Sequence, residues 1–381
     1  MFARIEKFDL LNGINMAMKA VSSKPSLPIL NCLLMEVTEN GVQLTGNNME
    51  MSVQTAVIPD NPSMDKETGK VALDAKLFAD IIKSLPDDEI EISADSKHLV
   101  TIKCRKSKFN IPGCNPENFP VVSDVEAVGS FAIDCTVFRD MVRKTMFCVA
   151  KTSVKPVLTG ELIKVSDGRM EVCAVDGFRI ALSQCETDYT GENFSIIVPG
   201  KTLSEIGKLL PTSVDSKVTL SFDNKKVWFG FEGAKVMSNL LEGEFIHYDS
   251  MFSRESKQYV KADRAALLNA IERSTLIGEK RTPVKLDIDE TIMKISSKTG
   301  TGSLDDEINI ENEGGKLDIG FNPGFLMEIL KTITADQVEM AFAGQLSACI
   351  IQPTDDKNCK YMLMPLKLDS TVANGSGESA A

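Results

Sequence analysis

The sequence is poor in the residues that carry most catalytic and metal chemistry. It holds two histidines, His98 and His247, in 381 residues. Neither has a Cys or a second His at metal-ligand spacing, so a zinc site and a His-dependent triad both lack material. Nine cysteines lie at 32, 104, 114, 135, 148, 173, 185, 349 and 359 without one Cys-x-x-Cys pair. That scatter reads as free thiols in a reducing cytosol, mostly small apolar fillers. No apolar run approaches the roughly 18 residues of a membrane span. The start, Met-Phe-Ala-Arg-Ile-Glu-Lys, lacks the apolar stretch of a secretory signal, which predicts a cytoplasmic protein. Positive charge is in the minority: 42 Lys and Arg against 54 Asp and Glu give a net charge of -12. A uniformly basic nucleic-acid coat is thereby excluded, although a local basic stripe is not.

Phosphate-binding loops are missing as well. Gly200-Lys201-Thr202 resembles the end of one, but Ser195 stands where the upstream Gly is required. Gly300-Thr301-Gly302 lacks the third Gly and the strand-turn-helix setting of a dinucleotide fingerprint, and reads as a turn. Asp305-Asp306 and Asp355-Asp356 read as solvated charge. No catalytic, cofactor or metal constellation is left.

What is present is a repeat. Leu10, Leu11, Ile14, Met18 and Val21 recur at helical spacing and Lys24-Pro25 ends the run; an apolar stretch of strand length, 27–37, and the turn Glu39-Asn40-Gly41 follow. Short strands at 42–45 and 51–57 flank a turn at Gly46-Asn47-Asn48. A second helix places Leu77, Phe78, Ile81, Ile82 and Leu85 on one face, closed by Pro86. A helix-like segment then begins at Cys135, 127 positions after the one beginning at Phe8, and another at Ala262, 127 positions after that. The second helix returns at Leu203, Ile206, Leu209 and Leu210, and again at Phe325, Leu326, Ile329, Leu330 and Ile333. Turn-centred strand pairs recur at 44–47, 173–177 and 295–298. The reading is an α+β protein of three divergent domain copies, 1–128, 129–256 and 257–368, with a low-complexity, disordered tail at 369–381. The helix-centred segments sum to a positive charge while the strands and loops are strongly acidic. That split suits a shared surface facing phosphate without base-specific contact.

The last apolar stretch, Tyr361-Met362-Leu363-Met364-Pro365-Leu366-Lys367-Leu368, is too short for a free-standing helix. By its residues alone it is either a final core strand or the wall of a groove.

In this order, Lys24-Pro25-Ser26-Leu27-Pro28-Ile29-Leu30, Leu44 to Met51, Ala174-Val175-Asp176-Gly177-Phe178-Arg179-Ile180, Leu241-Glu242-Gly243-Glu244-Phe245, Ile319-Gly320-Phe321-Asn322 and the closing stretch resemble the bacterial sliding clamp family, the beta subunit of DNA polymerase III. The resemblance covers essentially 1–368. It implies clamp domains of two helices packed on antiparallel sheets, and a homodimer closing as a six-domain ring around duplex DNA. It also implies no catalytic activity and no cofactor. The implied partners are an ATP-driven clamp loader, and DNA polymerases and repair proteins carrying short apolar peptides. Lys24, Lys76 and Lys201 match DNA-facing positions; Phe109, Ile111 and Leu276 match the dimer interface. The peptide pocket maps to Leu158, Val175, Gly177, Phe178, Arg179, Ile180, Ile246, Met251, Asn322, Phe325, Leu346 and the stretch Met362, Leu363, Met364, Pro365, Leu366, Lys367 and Leu368. Arg179 is expected to orient a peptide carbonyl or carboxylate, and the Met, Leu and Ile residues to form an adaptable floor.

Phe178, Ile246 and Lys367 depart from the family, which commonly has a polar aromatic, a Pro and an Arg there. Lys is a poorer forked donor than Arg, which shifts the peptide preference. Thr152, Pro156 and Val157 replace polar or aromatic residues of a loop that can touch single-stranded DNA. Two other readings compete: an enzyme with a site in one repeat, and a monomeric docking scaffold of the same fold.

Overall fold

The computed structural model describes residues 1–22, 25–57, 67–120, 122, 127–253, 255–277 and 282–368. Lys24 and the 369–381 tail therefore lie outside the described residues. Seven α-helices occur among them: α1 Lys7–Ala17, α2 Ala75–Ser84, α3 Cys135–Thr145, α4 Gly200–Leu209, α5 Asp249–Phe252, α6 Arg264–Ser274 and α7 Pro323–Thr332. None is long and apolar enough to cross a membrane.

α1 packs with α2 and α6 with α7, Arg139 of α3 reaches α4, and side-chain caps start three of these helices. Strands run into α2, α6 and α7 through Asp74, Asp263 and Asn322, whose side chains accept from the backbone N–H of Leu77, Ala266 and Phe325. These acceptors satisfy donors that a helix N-terminus leaves unpaired. A cation from the first helix of each pair then reaches the carbonyls ending the second. Lys7 Nζ donates to Leu85 O at 2.6 Å, Arg139 Nε to Gly207 O at 3.1 Å, and Arg264 Nε to Ala335 O at 2.8 Å. Positive charge at a helix C-terminus is stabilising, so the threefold repeat recurs in the electrostatics as well as the apolar spacing.

Contacts divide the chain into two compact units. One comprises 1–139 with 201–241. It holds a four-stranded sheet of strands Phe2–Glu6, Glu89–Ala94, Leu99–Cys104 and Ser107–Pro112, and an eight-stranded antiparallel sheet. In the larger sheet the strand Met51–Val57 pairs with Ala234–Asn239, so strands of the first and second repeats share one ladder. Leu10, Ile14 and Phe78 are wholly buried in this unit's core. Gly13 fits because a Cβ there would lie 2.6 Å from Val57 Cγ2; the residue lets α1 approach the strand closely.

The second unit comprises 140–200 and the residues from 242 onward, built on a twelve-stranded sheet. Arg179–Glu186 pairs there with Cys359–Leu363, joining strands of the second and third repeats. Tyr361, Leu363, Phe321 and Ile329 are at most 1% exposed in its core.

Three local expectations are corrected. The run 27–37 begins as a 3-10 turn, Pro28–Asn31, because Pro28 at a helix start favours that geometry, and becomes a strand only at Cys32. Leu77, assigned to the apolar face of α2, is 45% exposed, since the Asp74 cap leaves the first turn at the surface. Residues 295–298 lie inside the strand Ile292–Thr299, and the turn falls at 300–301.

Candidate partner-binding cavity

The second unit contains a cavity of about 360 Å³. Its floor is a row across four strands: Val175 opposes Ile180, Ile180 opposes Met362, and Met362 opposes Ile350. Opposed residues share a sheet face, so all four side chains line the cavity. Strand alternation sends Tyr361 and Leu363 to the other face, into the core, where the Tyr361 ring centre lies 5.6 Å from that of Phe147. The strand Cys359–Leu363 therefore serves both roles open to it from its residues. It is a central core strand, and its Met362 is a cavity wall, continued by Met364, which is 42% exposed.

The mouth is shaped by the turn between Arg169–Val175 and Arg179–Glu186. Asp176 Oδ1 accepts from the N–H of Phe178 and Arg179 at 3.0 and 3.1 Å, while Gly177 takes φ +93°, a conformation that disfavours side chains. Phe178 is thereby lifted to 56% exposure, its ring 5.9 Å from that of Phe325. Ile246, Met251, Leu346, Ser256 and the hairpin residues Ala343, Ser347 and Ala348 complete the lining.

Arg179 lines the cavity but is 6% exposed. Its Nε donates to Asp176 Oδ2 at 2.8 Å, Nη2 donates to Phe147 O at 2.9 Å, and Nη1 lies 2.6 Å from Glu328 Oε2. The guanidinium sits 4.3 Å from the Phe325 ring centre. Nε and Nη2 are thereby engaged, while Nη1, within ion-pair distance of Glu328, has no hydrogen-bond partner among the described residues; Arg179 ties the turn to α7 and its charge is balanced by Asp176 and Glu328. The nearby thiols of Cys148 and Cys173 are driven far above their usual range by burial, which makes them packing groups rather than nucleophiles at neutral pH.

Several residues mapped to this pocket stand outside its lining. Leu158 is 8% exposed in the turn Pro156–Thr159. Asn322 caps α7, and Phe325 supports Phe178 and Arg179. Leu363 is in the core. Pro365, Leu366, Lys367 and Leu368 leave the wall, because Leu366 N donates to Gly320 O at 2.8 Å and turns this segment into a clasp on the strand Leu317–Phe321. Ser256, Ala343, Ser347, Ala348 and Ile350 were not anticipated. Only Ile350 carried a signal, as an apolar residue in a strand-like run.

Lys76 and Lys201 are exposed second residues of α2 and α4. Ile111 is 7% exposed in the core and Phe109 packs against it, so both face inward from the strand Ser107–Pro112; Leu276 is 83% exposed just after α6. Among the described residues that strand pairs on one side only, with Leu99–Cys104, and presents Lys108 and Asn110 outward. In the second unit, among the described residues, 302–309 of the strand Gly302–Glu313 pairs only with Ile292–Thr299, and presents Asp305 and Glu307.

Repeated helix-pair domains whose strands join in long shared ladders, with an apolar cavity on one of them, define a clamp-type scaffold. The comparisons with known proteins agree along nearly the whole chain. Residues 1–123, 132–246 and 249–367 match the N-terminal, central and C-terminal domains of the DNA polymerase III beta subunit. The chain is 29% identical over 372 residues to the beta sliding clamp of Staphylococcus epidermidis, covering 95% of this chain and 98% of that one. The sliding clamp structure from Bacillus subtilis superposes with a TM-score of 0.91 at 25% identity, covering 96% and 99%. A Pseudomonas aeruginosa sliding clamp bound to griselimycin gives 0.91 at 26%, covering 97% and 100%. This chain belongs to the DNA polymerase III beta subunit family, and its function is that of a DNA polymerase processivity factor.

Proposed function

We propose that two copies of this chain close head to tail as a ring around duplex DNA, and that the cavity takes short apolar peptide segments of polymerases, clamp loader and repair proteins. The observation that carries the peptide reading is the row Val175, Ile180, Met362 and Ile350, an apolar floor with its one cation neutralised from within. Griselimycin is expected to occupy the same cavity.

Ring closure is supported by the two open strand edges. An unpaired edge is a template for another strand, and here one edge is basic, with Lys106 and Lys108, and the other acidic, with Asp305 and Glu307. Leu276 lies beyond α6 as an exposed apolar contact for the same interface. In this reading the interface on the Ser107–Pro112 side is made by the strand edge and outward side chains, while Phe109 and Ile111 hold the strand to its core. Lys76 and Lys201, with Lys24, make weak, salt-sensitive phosphate contacts. The chain performs no chemistry, works in the cytoplasm, and divides as 1–128, 129–256 and 257–368. Processivity then comes from topological linkage, and opening falls to an ATP-driven loader.

The test is mass in solution and retention on DNA. A particle of twice 41.6 kDa that stays on nicked circular DNA after loading, and runs off once the circle is cut, is expected. A monomeric mass at micromolar concentration, or equal loss from linear and circular DNA, refutes the ring.

A further inference from the structure

Ile246 and Met251 reach the cavity from an irregular segment, 242–252, broken only by the single helical turn of α5. Irregular chain holds its side chains only as firmly as its tethers allow. The central tether is Tyr248, which is 3% exposed and donates its hydroxyl to Glu171 Oε2 at 2.5 Å. The other Glu171 oxygen accepts from Gln184 Nε2 at 2.5 Å. Phe245 packs edge-on against Tyr248, and Met251 N donates to Tyr248 O at 2.9 Å.

Glu171 and Gln184 oppose each other in the hairpin, as do Val175 and Ile180. Four residues separate the two pairs along each strand, so both pairs lie on one face. That face carries the cavity floor at its turn end and the anchor of the segment further along. Lys164 Nζ, 3.7 Å from Glu171 Oε2 and 4.0 Å from Asp249 Oδ2, supplies positive charge beside the buried carboxylate.

We propose that Tyr248 and Glu171 are a positioning pair that holds Ile246 and Met251 in place, so that the cavity is preformed for an apolar peptide. Neither residue lines the cavity. The proposal rests on the cavity being a peptide site. A wall that must reorder before binding lowers apparent affinity by the fraction of molecules in which it is in place.

The experiment is fluorescence-anisotropy titration of the full-length dimer with a fluorescein-labelled hexapeptide of Leu, Phe and Ser, at a temperature where every variant keeps the parent circular dichroism. Tyr248→Phe and Glu171→Ala are each expected to weaken binding about 5- to 10-fold, and the double variant no further, because the Tyr248–Glu171 bond is absent in all three. Glu171→Gln keeps an oxygen for the Tyr248 hydroxyl and is expected within about twofold of the parent, a rescue that general loss of packing does not produce. Parent-like affinity in Tyr248→Phe or Glu171→Ala overturns the positioning role while leaving the cavity reading intact. If Tyr248→Phe fails to fold, the contrast between Glu171→Ala and Glu171→Gln decides. A parent protein that does not bind the peptide overturns the cavity reading and this proposal together.

Discussion

Glu161 makes stability depend on pH in a way that one substitution removes. The residue lies on the strand Gly160–Ser166, wholly buried. Its Oε1 accepts from the Thr145 hydroxyl at 2.9 Å, and its Oε2 has no hydrogen-bond partner among the described residues. Thr145 ends α3, where the helix carries its negative pole. Burial raises the Glu161 pKa from 4.5 to about 8, against a lowering by the Thr145 bond. The folded protein therefore binds a proton that the unfolded chain releases between these values. Stability falls as pH rises through that window, by about 1.4 kcal/mol per unit, which amounts to about 3 kcal/mol at pH 7. Glu161→Gln keeps the acceptor and cannot ionise. Urea unfolding followed by far-UV circular dichroism from pH 5 to 8.5 measures the difference between variant and parent at each pH. The variant is expected to gain on the parent as pH rises, with the slope flattening above pH 8. A constant difference across the range refutes the neutral, buried carboxyl.

Met364→Ala removes exposed wall and is expected to weaken apolar peptide binding roughly tenfold with unchanged dimer mass, whereas Leu366→Ala keeps the backbone N–H that donates to Gly320 O, lies outside the lining, and is expected to leave peptide affinity within about twofold of the parent; anisotropy measures both. Asp305→Lys with Glu307→Lys places like charge opposite Lys106 and Lys108 and is expected to shift the particle to monomer mass by light scattering. Combining it with Lys106→Glu and Lys108→Glu restores the dimer if the two edges meet as proposed. Lys76→Ala with Lys201→Ala is expected to shorten retention on nicked circles at low salt and to flatten its salt dependence; unchanged retention removes those residues from the DNA surface. Phe78→Ala, on the buried face of α2, is expected to cost about 3 to 5 kcal/mol in urea unfolding without changing peptide affinity.

The cavity shows where sequence reading stops. The turn was legible, because Asp176-Gly177 can be read locally as a side-chain acceptor followed by a residue free to take positive φ. Arg179 was legible as a cavity residue but its tethers were not, since Asp176 is close in sequence while Phe147 and Glu328 are distant partners supplied by folding. Ser256, Ala343, Ser347 and Ala348 carry no periodic signal, as small side chains at a rim earn their place by what they leave open.

By itself the sequence determined the three repeats, the order of their helices and the family, because each rests on spacing or on local motifs within one repeat. Only the tertiary structure decided how 361–368 is used. The strand Cys359–Leu363 lies between Arg179–Glu186 and Cys349–Pro353, so alternation buries Tyr361 and Leu363 and turns Met362 to the cavity. The bond from Leu366 to Gly320 then draws the last residues away from it. The reason is physical: local pattern fixes which side chains share a face, whereas strand order across distant parts of the chain fixes what that face meets.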